Sequence, residues 1–111
     1  MTLKECAHRV SARWIVTGDE NVEFFDVVVS DLMSDVLVTD HDDFLLVTSL
    51  ASEQVARTAD IVDAQAIVLA NGKSPQPALA RLAEEQAIPL MTSALSTFDI
   101  CRALAGCAEK V

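Results

Sequence analysis

From Asp43 onward the chain alternates short, uninterrupted apolar runs with longer amphipathic stretches, and this alternation limits its fold more than any other feature. The runs lie in FLLVT (44–48), QAIVLANG (65–72) and IPLMTS (88–93). A strand with one wet face alternates apolar and polar residues, whereas an unbroken apolar run suits a strand buried on both faces, as in parallel sheets. Between the runs the period changes. Residues 51–64 place Val55, Ala59, Ile61 and Val62 on one side and Glu53, Arg57, Asp60 and Asp63 mostly on the other, and the stretch ending near Gln86 turns Leu79, Leu82 and Ala83 inward. Strand, helix, strand, helix, strand, helix calls for right-handed crossovers over a covered parallel sheet. The expected fold class is α/β: a single three-layer domain over 1–111, with a mostly parallel sheet of four to six strands flanked by helices.

The first half is patterned less cleanly. Leu3, Cys6, Ala7 and Val10 have the spacing of one helix face, ARWIVTGD reads as a strand stopped at Gly18-Asp19, and FFDVVVSD reads as a second ending at Ser30. Ser30 is the expected N-cap of a helix carrying Leu32, Met33, Val36 and Leu37, so that VLVT is its tail and DHDD the connection to FLLVT. Ser74-Pro75 predicts a helix with Ser74 as N-cap and Pro75 in the first position, and Ser96-Thr97-Phe98-Asp99 resembles a capping box opening a last helix that runs to Gly106. Met33, Met91, Trp14, Phe24, Phe25, Phe44 and Phe98 are expected in the core or an interface, and the apolar surplus of VEFFDVVVS fits a homodimer contact.

Composition removes several classes of function. With 17 acidic against 8 basic residues, net charge is −9, and the cations are scattered rather than gathered in a stripe. Nucleic-acid backbones select the opposite balance, so no nucleic-acid partner is expected. The apolar runs fall short of the ~20 residues of a membrane span, and MTLKECAHRV has no apolar signal core, which makes a cytoplasmic location the expectation. Cys6, Cys101 and Cys107 are odd in number and form no C-x-x-C pair, so buried, reduced thiols are expected. The three glycines of the chain cannot build a P-loop.

SDLMSDVL (30–37), DDFLLVT (42–48) and AIVLANGKSPQPALARLAEEQAIPLMTSALSTFDICRAL (66–104) together resemble the DRTGG domain. That domain is a regulatory part of some phosphotransacetylases, is related to the N-terminal domain of HPr kinase/phosphorylase, and also stands alone. The resemblance covers roughly residues 2 to 105. The motif that names the family is degenerate here: the turn after the third apolar strand reads Ala70-Asn71-Gly72, and Ser49-Leu50-Ala51-Ser52-Glu53 follows FLLVT where an Asp-Arg pair is absent. The resemblance implies a non-catalytic regulatory or ligand-sensing domain, acting through a partner enzyme or kinase or as a homodimer.

Two groups of residues could carry chemistry. Parallel sheets bind ligands beyond the carboxyl ends of their strands, where helix starts offer N–H groups to anions. Thr48-Ser49, Asn71-Gly72-Lys73-Ser74 and Thr92-Ser93 fall at such ends and are the candidate ligand-binding residues for an anionic small molecule, a nucleotide or phosphometabolite. Helix capping uses the same residue types in the same places. The second group is Asp40, His41, Asp42 and Asp43, which would serve a metal- or carboxylate-dependent enzyme only if they converged; four consecutive loop residues ordinarily point apart and form a solvated turn. No cofactor, catalytic residue or metal set is expected. A structural accessory or assembly protein of a redox or kinase system, with no small ligand, is the remaining alternative.

Overall fold

The computed structural model describes residues 1–106. Helix α1 (Leu3–Arg9) leads into strand β1 (Arg13–Val16), followed by β2 (Asp26–Val29), α2 (Met33–Leu37), β3 (Phe44–Thr48), α3 (Gln54–Val62), β4 (Ala66–Leu69), α4 (Pro77–Glu85), β5 (Leu90–Thr92) and α5 (Thr97–Ala103). The five strands form one sheet in the order β1-β5-β4-β3-β2. β2, β3, β4 and β5 are mutually parallel, and β1 is added antiparallel to β5. This is the expected three-layer α/β arrangement.

The unbroken apolar runs are explained by what covers them. Successive residues of β3 and β4 face opposite sides of the sheet. Phe44, Leu46, Ile67 and Leu69 pack with Met33 and Val36 of α2, Val55 and Ala59 of α3 and Leu79 and Ala83 of α4. Leu45, Val47, Ala66 and Val68 face the other way, onto Leu3 and Cys6 of α1 and Ile100 of α5 with Leu104 at its end. Each strand residue therefore meets a helix whichever way it points, and β3 and β4 are buried throughout.

Several boundaries differ from the sequence-based expectation, each for a local reason. Ser30 does not cap α2: its hydroxyl accepts from the Leu32 N–H, a turn that delays the helix until Met33. α2 then ends at Leu37, leaving Val38 81% exposed, so VLVT is not the tail of a longer helix. α3 likewise begins at Gln54, not Ala51. Ser74 and Pro75 precede α4 without starting it, because Gln76 stands before a second proline and is held extended (ψ 148°); Pro77 takes the first helical turn instead. Ser96 does cap α5, accepting from the Asp99 N–H at 3.1 Å, although that helix ends at Ala103. Phe98 is 71% exposed and is not part of the core: Ile100 takes the inward face of α5, and two helical positions away Phe98 points outward, under the Arg102 guanidinium. Cys6 is buried and Cys101 half-buried, and the expectation for Cys107 lies outside the described residues.

Candidate functional site

Because four strands run in parallel, their carboxyl ends lie along one margin of the sheet, and the polar residues that follow β2, β3, β4 and β5 are brought together there. At the β2 and β3 ends the organising group is Asp31. Its Oδ1 accepts from the Thr48 hydroxyl at 3.0 Å and the Ser49 N–H at 2.7 Å, and its Oδ2 accepts from the Ser49 hydroxyl at 2.7 Å. The Ser49 backbone and hydroxyl bonds hold the carboxyl below its ordinary pKa; partial burial opposes them, while the Thr48 hydroxyl and the Lys73 charge add to the lowering. Thr48 also accepts from the Leu50 N–H. The hydroxyls of Thr48 and Ser49 are thus donated to a carboxylate of the chain itself.

At the β4 and β5 ends a cavity of about 260 Å³ opens between Gly72, Lys73 and Ser74 on one side, Thr92, Ser93 and Ala94 on another, and Ser11 and Arg13 on a third. Five of the eight candidate residues share it. Asn71 and Gly72 both adopt left-handed backbone, and their N–H groups donate to the Leu95 and Ser93 carbonyls at 2.8 and 2.9 Å. Lys73 N–H closes back on the Ala70 carbonyl. These amides are therefore occupied by carbonyls of the chain itself and do not form a phosphate cradle. The Asn71 side chain donates to the Thr97 hydroxyl, and Ser93, buried, donates to the Val10 carbonyl and accepts from the Leu95 N–H. The groups left to meet a ligand are the Lys73 ammonium, the Arg13 guanidinium and the hydroxyls of Ser74, Thr92 and Ser11. Among the described residues neither Lys73 nor Arg13 forms an ion pair, whereas Arg57 and Arg102 are matched with Glu53 and Asp99.

Arg13, Ser11 and Asp31 were missing from the sequence-based candidates. Asp31 had a local signal, as the acidic residue two positions after the last valine of an apolar strand run. Arg13 had none, because its place beside Lys73 follows from β1 pairing antiparallel with β5, Arg13 opposite Thr92.

The cluster at Asp40 to Asp43 does not converge. His41 Nδ1 pairs with the Asp26 carboxylate on β2, the Asp43 carboxylate accepts from the Gln65 side chain at 3.0 Å, and all four residues are exposed. Among the described residues no group of three His, Cys, Asp or Glu side chains is placed to hold a metal ion. Asp43 has a structural part: its backbone is left-handed (φ 50°) and its carbonyl accepts from the Phe25 N–H, fastening the start of β3 beside β2.

A family model for the DRTGG domain matches residues 4–107. The chain belongs to the DRTGG domain family. No protein of curated function matches it. Among solved structures this DRTGG domain resembles the CBS and DRTGG domains of the regulatory region of Clostridium perfringens pyrophosphatase, determined in complex with the activator diadenosine tetraphosphate. The TM-score is 0.74 at 12% identity, over 96% of this chain and 46% of that one. The likeness is one of fold, and this chain spans less than half the length of that regulatory region. No helix among the described residues is long and apolar enough to cross a membrane.

Proposed function

We propose that this DRTGG domain is a non-catalytic regulatory module of the cytoplasm that binds an anionic small molecule, a nucleotide or phosphometabolite, and passes its state to a partner protein or a second copy. The observation that carries the reading is the convergence of Arg13 and Lys73 on one cavity in a chain of net charge −9. Two cations without ion-pair partners among the described residues favour an anion between them, and the flanking Ser74, Thr92 and Ser11 hydroxyls suit phosphate oxygens. The regulatory half of the proposal draws on the family and on the fold shared with a pyrophosphatase regulatory region solved with a nucleotide activator.

Isothermal titration with inorganic pyrophosphate, ATP and diadenosine tetraphosphate tests it. At least one should bind, and Arg13→Ala or Lys73→Ala should weaken that binding about tenfold, the worth of one charge-assisted contact of roughly 1.4 kcal/mol. Binding unaltered by either substitution would move the ligand elsewhere. No heat and no melting shift with any of the three would favour an accessory or assembly role without a small ligand.

A further inference from the structure

The two edges of the sheet are not equivalent. β1 is interrupted by a register shift between Trp14 and Val16, the kind of irregularity that blunts an edge against further pairing. β2 pairs with β3 in continuous register over all four residues, and among the described residues no strand lies on its other side. Hydrogen bonding reaches past both ends: Ser30 N–H donates to the Val47 carbonyl in the same register, and Phe25 N–H donates to the Asp43 carbonyl after a one-residue slip at the start of the strand. Such an edge is a template for one more strand, which would displace the Asp26 carboxylate from the Val27 N–H that donates to it at 2.8 Å.

The surroundings of β2 specify which strand. Val27 and Val29 open onto a recess of about 280 Å³ shared with Cys101 and with Leu104 at the end of α5. On the opposite face Val28 packs with the α2 side of the core, and a groove of about 420 Å³ runs from β2 to Asp35, Thr39, Asp40 and His41. One flank is apolar apart from Asp26, whose carboxylate pairs with His41, and the other carries the carboxylates of Asp35 and Asp40 beside that histidine. Four of the six large apolar side chains left exposed among the described residues, Val29, Leu32, Leu37 and Val38, belong to this same short stretch, which marks it as incompletely covered.

We infer that β2 is the docking edge for an extended segment of a partner protein in which apolar side chains alternate with basic ones. A strand laid beside β2 must send successive side chains to opposite faces. Its apolar positions enter the recess of Val27, Val29 and Leu104, and its cations enter the groove of Asp35 and Asp40. A second copy fits less well: the chain carries −9, no stretch of its sequence alternates apolar with basic residues, and a two-fold would bring Asp35 and Asp40 towards their own equivalents. The inference rests on the reading that the domain works through another chain, and it is independent of the anion cavity.

The test uses three end-blocked fluorescent peptides on the full chain: alternating Val and Lys, the same composition in blocks, and alternating Val and Glu. The alternating Val-Lys peptide should bind and protect the amides of residues 26–29 from hydrogen exchange. The block peptide should bind roughly tenfold more weakly, the Val-Glu peptide should not bind, and Asp35→Asn with Asp40→Asn should weaken the complex roughly fivefold. Both substitutions are on exposed side chains, so the fold is retained. Lys73→Ala should leave peptide binding as it is, which separates failure here from failure of the anion reading. Absence of binding, or equal binding of alternating and block peptides, would overturn the inference. So would protection of residues 26–29 that grows with protein concentration alone and tracks a dimer in light scattering, since the edge would then belong to a second copy.

Discussion

Replacing Asp31 with Asn tests whether the margin of the sheet is held by a charge. The carboxylate accepts three hydrogen bonds, from the Thr48 hydroxyl and from the N–H and hydroxyl of Ser49. A hydrogen bond to an ion is worth ~1.5–3 kcal/mol when sheltered, but Asp31 is exposed and water competes for every one of its partners. Asn keeps the shape and one good acceptor, so the expected loss is about 1–2 kcal/mol near neutral pH, or a fall in Tm of roughly 5–10 °C for a domain of this size. The pH dependence has a definite sign. The folded carboxyl has a pKa below its ordinary 3.8, so its contribution is fully present above that value and is lost as pH falls through the folded pKa. Urea unfolding of both proteins at about pH 6 and about pH 3 should therefore show a gap that narrows on acidification. Equal stabilities at the higher pH, or a gap that stays constant or widens on acidification, would refute the argument that the charge fastens the ends of β2 and β3.

The same site orders a second set of substitutions: in a carboxyl titration followed by NMR, Ser49→Ala should raise the Asp31 pKa more than Lys73→Met does, because the Ser49 hydroxyl contributes more to the lowering than the distant ammonium; the reverse order would place Lys73 closer to Asp31 than the structure has it. At the helix starts, Ser96→Ala should cost about 1 kcal/mol in urea unfolding and Ser74→Ala less than about 0.5, since only Ser96 bonds an N–H of the helix it precedes. Equal losses would return Ser74 to the N-cap role that its sequence context suggests.

The layered fold is legible because its cause is local. FLLV and AIVL are apolar at every position, and only a strand with a helix layer on each face can bury such runs; the intervening helices show most of their inward stripes within a dozen residues, although Ile61, expected inward with Val62, is 72% exposed. The helix starts are less legible for an equally physical reason. Ser30 and Ser74 have the side chain of a cap, but a cap is defined by the backbone that follows, and a turn at Leu32 and a second proline at Pro77 decide where helix can begin. Phe98 shows the same limit in another form, since residue type predicts burial while helix phase, set here by Ile100, decides it.

The candidate site was legible in proportion to how much of it lies on one turn. Gly72, Lys73 and Ser74 are contiguous, and the strand-end rule finds them together with Thr92 and Ser93. The rule also returns Thr48 and Ser49, because it recognises donors without knowing whether an acceptor elsewhere in the chain has taken them; Asp31, 17 residues before Thr48, has. Arg13 is the converse case. It precedes Lys73 by sixty positions and reaches the same cavity only because the first strand joins the sheet antiparallel, at the edge beyond β5. A parallel β1 would reverse the strand and carry Arg13 to the opposite margin of the sheet. The direction of one edge strand thus decides whether the cavity holds one cation or two, and with it the charge that the proposed anion would meet.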